Sequence, residues 1–271
     1  MYISGMDEAT KTMTSRRRPV GELLRRWRGL RRMSQFGLAL EAGVSSRHVS
    51  FVENGKSEPS RDMVLRLAES LDLPLRERND LLLAAGYAPV YSEANFDSPE
   101  MSSVRGAVRK VLAGHEPYPA VVVDRIWNLV DMNEGASLFV AEVSPELLEP
   151  PANVLRISLH PDGMASCILN LGEWRAHILG RLRRQVYVSD NPALASLLNE
   201  LREYPGGEVE DGVPGDGIVV PLRIVHAGHE LSFFGTVATF GTPLDVTVAE
   251  LAIESFFPAD KGTAMFLRGG G

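Results

Sequence analysis

The fold class that this sequence predicts is two-domain, an all-α five-helix head followed by an α+β domain with an antiparallel sheet. Three observations predict it. Five apolar stripes at helical spacing, separated by glycine and proline, fill residues 19–86. Beyond residue 103 the order becomes strand, strand, helices, strand, strand. Charge divides as well: from Arg16 to Lys56 ten Lys/Arg stand against three acids, a net of +7 in a chain of net −7, which leaves −14 on the rest. Such asymmetry suggests one part built for a polyanion and another for something else.

At 271 residues and 44% apolar content, two cores can be buried. The single cysteine, Cys167, cannot form an intrachain disulfide, which fits a reducing cytoplasm. Residues 1–18 are polar, end in three arginines, show no signal peptide and read as a flexible basic arm, with Met6 a possible start. The longest stretch free of Asp, Glu, Lys and Arg, Leu231 to Leu244, is fourteen residues, short of the ~20 a membrane-spanning helix needs. A soluble, cytoplasmic protein with no membrane partner is expected.

In the head, Val20, Leu23, Leu24, Trp27 and Leu30 form the first stripe. Ser34 is a natural N-cap for a helix carrying Leu38, Ala39 and Ala42, and Gly43 breaks it, because glycine takes a left-handed position without steric cost. Ser45 then caps a short helix whose apolar positions are Val49 and Val52, leaving Ser46, Arg47, Ser50 and Phe51 outward. Helix, glycine turn and a second helix with polar outward residues is the geometry that major-groove reading requires. Pro59-Ser60 opens a fourth helix with Met63, Val64, Leu67, Ala68 and Leu71; Pro74 stops it, and Leu75 to Gly86 supplies a fifth. The arginines upstream either contact phosphate, which positions a module without reading sequence, or solvate a helix surface.

Ser34-Gln35, Ala39, Gly43-Val44-Ser45, Val49, Glu53-Asn54-Gly55-Lys56 and Pro59 resemble the Xre/Cro-type helix-turn-helix of phage repressors and bacterial regulators over residues 20–72. The resemblance implies a double-stranded DNA operator as partner. It implies a phosphate contact for Gln35, base-edge approach by Ser46, Arg47 and Ser50, and backbone contact by Asn54 and Lys56. Ser45 joins them as the cap of the reading helix, and Phe51, where the family usually has a polar residue, touches a thymine methyl or packs. Arg47 could pair with guanine through O6 and N7. His48 is expected to be solvated or to face phosphate.

Residues 87–103 read as a linker, with three acids, two prolines and no stripe between Tyr87 and Met101. Val104 to Leu112 is a short helix; Tyr118 to Val123 and Ile126 to Val130 are β-rich and split by Asp124-Arg125; Asn133 caps another helix. Asn170 with Glu173 looks like a capping box for a long helix with Leu171, Trp174, Ile178, Leu182 and Val186 inward. A helix after Asn191-Pro192, a Gly/Glu/Asp-rich loop over 205–217, strands Ile218 to His226 and Glu230 to Phe240, and a last helix from Val248 to Phe256 complete the reading.

Segments such as Glu116-Pro117-Tyr118-Pro119, Asp124-Arg125-x-Trp127-Asn128, Leu159-His160-Pro161-Asp162-Gly163, Asn170-Leu171-x-Glu173-Trp174 and Phe240-Gly241-Thr242-Pro243-x-Asp245 resemble the ligand-binding domain of MmyB-like transcription regulators, over roughly residues 104–268. The resemblance implies a PAS-like domain, helices folded over a cavity that in some members holds a fatty-acyl chain. The candidate ligand contacts are Trp127, Phe139, Leu171, Trp174, Arg175, Ile178, Phe234 and Phe240. The strand over 230–240 has apolar residues on both faces, so cover on two sides is expected. Arg175 falls inside the apolar stripe of its helix; it either meets a ligand carboxylate or packs its stem and sends its head to solvent, with Arg181 a second candidate.

Chemistry is not expected. His226 and His229 flank a hairpin turn without the helical Glu of zinc sites, and no Cys/His cluster has metal-ligand spacing. Cys167 sits in an apolar run and is either inert core or a redox sensor. No cofactor is expected beyond a fatty-acyl ligand. The expectation is a cytoplasmic, nucleoid-associated, homodimeric bacterial regulator, a repressor by family habit, that responds to a small apolar effector. The rivals are a haem, flavin or redox sensor or small-molecule enzyme tethered to DNA, and a DNA-bound scaffold whose second domain only dimerises.

Overall fold

A computed structural model describes residues 19–189, 191–206 and 220–269. The basic arm expected over 1–18 and most of the acidic loop expected over 205–217 lie outside the described residues. The chain divides into two compact units, Met1–Ser92 and Glu93–Gly271.

The first unit holds α1 (Val20–Leu30), α2 (Gln35–Glu41), α3 (Ser46–Glu53), α4 (Arg61–Ser70) and α5 (Leu75–Ala84). Ser34, Ser45 and Ser60 each accept a hydrogen bond from a backbone N–H of the helix that follows, satisfying donors that a helix start leaves unpaired. Gly43 and Gly55 end α2 and α3 at φ of 64° and 66°, where a Cβ would clash with the backbone. Leu24, Trp27, Leu38, Val49, Leu67 and Leu82 meet in one core. Each leucine buried there contributes roughly 1.5–3 kcal/mol.

Gly21 in α1 fixes how closely the first helix approaches the third. A Cβ there would lie 2.5 Å from the Val52 carbonyl oxygen and 2.8 Å from that of Glu53, both backbone atoms. Only a glycine permits this approach.

The stretch read as linker is divided between the two units. Tyr87 Oη donates to the Pro59 carbonyl (3.1 Å), and buried Asn79 bonds the backbone of Val90 and Tyr91, which ties this end to the head. From Ala94 onward the chain bonds to Asp245 and Thr247 of the second unit. Side-chain amide, carboxylate and hydroxyl groups satisfy the backbone that a free linker would leave to water.

In the second unit, α6 (Ser102–Gly114) precedes β1 (Ala120–Val123) and β2 (Leu129–Met132). Then come α7 (Pro145–Leu148), α8 (Val154–Leu159), α9 (Leu171–Ser189) and α10 (Pro192–Glu203). The chain finishes with β3 (Leu222–His226), β4 (His229–Thr239), α11 (Val246–Ala249), β5 (Ala252–Pro258) and α12 (Lys261–Leu267). The five strands form one antiparallel sheet in the order β2-β1-β5-β4-β3. Ala227 and Gly228, at φ of 48° and 78°, make the tight β3–β4 turn, the two-residue type that matches strand twist. Asn133 caps a 3-10 helix, Glu134–Phe139, in place of the α-helix expected.

Two expectations fail here. Residues from Val248 to Phe256 were read as a helix; the helical part is one turn, Val246–Ala249, capped by Asp245, and Ala252–Pro258 is the central strand. Pairing with β1 on one edge and β4 on the other overrides the helical propensity of Ala-Glu-Leu-Ala. The second concerns the sheet's outer face. The helix α6 covers it over β1 and β5, packing Val108 and Leu112 on Ala120, Val122 and Ile253. On β4 that face is open: Phe234 is 37% exposed and Ala238 is exposed. Among the described residues, no helix is long and apolar enough to cross a membrane.

Candidate nucleic-acid interface and ligand cavity

On α3 the side chain of Arg47 is exposed, flanked by half-buried Ser46 and Ser50, while Val49 and Val52 point into the core. The face that the apolar positions leave outward is therefore small and polar around one arginine. The Arg47 guanidinium lies 5.1 Å over the Phe51 ring, one turn on. That cation–π contact sets the Phe51 ring against Arg47 on the outward side of α3. Exposed Ser45 is occupied as the N-cap, its Oγ accepting from the His48 N–H at 3.2 Å. Lys56 and Asn54 are exposed just past the helix end. His48, expected to be solvated or to face phosphate, is half-buried with its Nε2 shielded from solvent.

Under this face lies a charged network that the sequence reading missed. Glu53, only 4% exposed, receives Arg28 Nε at 2.6 Å and Nη2 at 3.0 Å. Gln35 Nε2 adds a third bond at 2.8 Å. Burial by itself pushes the Glu53 carboxyl up, but the hydrogen bonds from Arg28 and Gln35 and the charges of Arg28 and Arg25 outweigh it and hold the group below the usual carboxylate range. Arg25 also donates to the Glu53 carbonyl and to Asn54 Oδ1, and Asn54 Nδ2 donates back to the Ser50 carbonyl. Gln35 and Asn54, read as backbone contacts, are thus oriented by the head itself. The signal for this network was present in the spacing of Arg25 and Arg28 on the helix that also carries Leu24.

In the second unit, a cavity of about 140 Å³ opens between the inner sheet face and the helices. Its walls come from Val121 of β1, Gly235 and Val237 of β4, Phe256 of β5, Leu155 of α8 and Ile178 of α9. Three of the expected contacts, Phe139, Trp174 and Ile178, line it. Trp174 Nε1 donates to Ser158 Oγ (2.9 Å) and its ring stacks on His177 at 5.5 Å.

The other expected contacts lie elsewhere. Trp127 stands behind the wall, its Nε1 donating to Gln185 (2.8 Å) and its ring 4.3 Å beneath the Arg181 guanidinium. It holds φ at 70°, an uncommon backbone for a bulky residue, imposed by a turn in which Asp124 Oδ1 accepts from the N–H groups of Ile126 and Asn128. Leu171 packs on the core at the start of α9, off the cavity wall. Arg175 is not among the residues that line this cavity; its Nη2 donates to the carbonyl of Arg202 (2.8 Å) at the end of α10, where a helix terminus leaves acceptors open. Phe234 faces outward and stacks on Phe257, and Phe240 packs in the outer cluster beneath α6. Alternation along β4 sends Phe234 and Phe240 away from the side that Phe233 faces. The capping box at Asn170 is also different in kind: its amide bonds Glu173, the Pro221 carbonyl and the Arg223 N–H, and so ties α9 to β3.

Arg181 does reach the cavity, paired through Nη1 with Glu254 of β5. Burial and the charges of Arg181 and Arg184 hold the His177 imidazole below its ordinary pKa, so it is neutral at pH 7. Burial pushes the Cys167 thiol up, which leaves little thiolate for redox chemistry. Among the described residues, no group of three or more His, Cys, Asp or Glu is placed to hold a metal ion.

The family described as MmyB-like transcription regulator ligand binding domain matches residues 104–269, more than half of the chain. The chain belongs to the MmyB-like transcription regulators. A helix-turn-helix family matches residues 24–78, from within α1 to within α5, with α2, α3 and α4 inside. This MmyB-like chain is thus a DNA-binding helix-turn-helix transcription regulator with a ligand-binding domain, and both families are regulatory. Among solved structures it is similar to the restriction-modification controller protein C.AhdI from Aeromonas hydrophila, 36% identical over 22% of this chain and 89% of that one, with a TM-score of 0.21. It is also similar to an RNA-binding light-oxygen-voltage receptor, at 10% identity over 93% of this chain and 62% of that one, with a TM-score of 0.29. No curated protein matches.

Proposed function

We propose that this MmyB-like regulator is a bacterial, cytoplasmic, nucleoid-associated repressor that binds operators as a homodimer and responds to a small apolar effector of the acyl-lipid class. The observation that carries the DNA half is the α3 face, where exposed Arg47 stands between small Ser46 and Ser50, backed by the Glu53 network. Arg47 reads a guanine, Ser46 and Ser50 approach neighbouring base edges, and Gln35, Asn54 and Lys56 set the register on the phosphates. One head reads few base pairs, so a two-fold dimer over half-sites one turn (~34–36 Å) apart supplies the specificity.

The effector half rests on the cavity walled by Val121, Phe139, Leu155, Ile178 and Phe256, an apolar lining that suits a hydrocarbon chain. An effector alters repression only through different affinities for the DNA-competent and incompetent arrangements. Selection of preferred operators from random duplexes tests the DNA half: an enriched palindromic site is expected, and no preference at moderate salt defeats the reading. For the effector half, organic extraction of purified protein is expected to yield an acyl compound that, added back, lowers operator affinity.

A further inference from the structure

Glu254 is out of place on the surface that carries it. On the inner face of the sheet it sits in a row between Val121 of β1 and Val237 of β4. Its side chain is only 12% exposed. A carboxylate in such surroundings needs a partner, and Arg181 from α9 provides one across the cavity. The guanidinium is held from a second direction by the Trp127 ring, 4.3 Å away, whose own N–H is fixed on Gln185. Both charged groups line a cavity whose other walls are mainly hydrocarbon.

We propose that the Arg181–Glu254 pair forms the head-group end of the cavity and selects an apolar chain ending in a neutral group that both donates and accepts hydrogen bonds, an amide above all, over the same chain ending in a free carboxylate. The inference rests on the reading of the cavity as an apolar-effector site and narrows it. Its logic is a charge balance. Glu254 already matches the one positive charge of Arg181. The nearby imidazole of His177 is held neutral by burial and by the charges of Arg181 and Arg184, and adds no second cation at neutral pH. Arg184 is exposed on α9 and is not part of the cavity wall. An incoming carboxylate would stand beside Glu254 among mainly hydrocarbon walls, where two like charges within a few ångströms repel each other. A guanidinium offers several donors and a carboxylate several acceptor positions, beyond the bond they make to each other. An amide answers both at once, its carbonyl oxygen accepting from Arg181 and its N–H donating to Glu254.

Calorimetric titration of the full-length chain, first stripped of bound lipid on a hydrophobic resin, tests this with decanamide and decanoate at neutral pH. Decanamide is expected to bind at least about tenfold more tightly, the scale of one unfavourable charge contact in a partly solvated site. Glu254→Gln, a neutral isostere, is expected to raise decanoate affinity about tenfold and to weaken decanamide several-fold, because its N–H loses a charged acceptor, closing the gap. Equal or tighter binding of decanoate by the unaltered protein overturns the head-group assignment while leaving the apolar cavity standing. A preference for decanamide that Glu254→Gln does not reduce overturns the role of the pair. If neither compound nor decanol binds the folded protein, the apolar-effector reading fails and takes this inference with it.

Discussion

Two arginine–carboxylate pairs, one in each unit, do opposite things with the same chemistry. In the head, Glu53 is enclosed and receives Arg28 and Gln35, so its acceptors face protein and the pair acts as internal glue beneath the outward face of α3. In the second unit, Glu254 and Arg181 meet at the wall of a cavity whose other sides are mainly hydrocarbon. The difference is what surrounds each pair. Three helices close around Glu53 because Gly21 lets α1 touch the end of α3. Around Glu254 the sheet and α9 stand apart. An ion pair closed in by its own fold serves stability, and one left facing a cavity is available to a ligand.

The largest expected effect breaks the first half of that comparison. Glu53→Ala deprives half-buried Arg28 of its carboxylate partner and is expected to lower head stability by about 3 kcal/mol, read from the head's transition in urea. The sign with pH follows from the lowered carboxyl. The Glu53 contribution is fully present above the ordinary carboxylate value of 4.5 and is lost as pH falls from there through the depressed folded value. The unaltered head should therefore lose stability below about pH 4.5 more steeply than Glu53→Ala; parallel curves would show that the pair contributes nothing.

Next, Arg47→Ala is expected to weaken specific DNA binding by ~1–3 kcal/mol and to relax one operator position. A uniform loss over all duplexes would make Arg47 a phosphate contact. Gly21→Ala is expected to cost ~1–3 kcal/mol, because its Cβ has two carbonyl oxygens to displace and the gain in helix propensity is at most about 1 kcal/mol. In the other unit, Trp174→Ala should lower retention of an apolar ligand at least about tenfold without changing non-specific DNA affinity. Unaltered retention would remove Trp174 from the binding surface. The smallest effect sharpens the Gly21 result: Gly29, on the same helix with nothing within 4 Å of its Cβ position, should gain up to about 1 kcal/mol as alanine.

Much of the head was legible in the sequence because its determinants are local. Ser34, Ser45 and Ser60 cap as hydroxyls do at any helix start, Gly43 ends α2 as its lack of a Cβ allows, and the apolar stripes fix which residues turn inward. The cavity was legible only in part. Phe139, Trp174 and Ile178 reach it, yet Arg175 takes the carbonyls at the end of α10, and Phe234 and Phe240 fall on the far side of the sheet. Glu254 was overlooked because the segment holding it resembles a helix on propensity. The β-branched and aromatic residues Ile253, Phe256 and Phe257 were the available clue to a strand.

By itself the sequence determined the two-part organisation, the five helices of the head, the outward position of Arg47 and the antiparallel class of the sheet. These follow from spacings of a few residues, from caps and from turn chemistry, all of which act within a short reach of chain. Tertiary structure decided that residues 252–258 run as the middle strand, that Arg181 rather than Arg175 faces the cavity, and that Glu254 meets it there. Those outcomes depend on partners far apart in the chain, seventy-three residues in the case of Arg181 and Glu254. A strand's identity and a charge's partner are set by what packs alongside, and no local pattern carries that information.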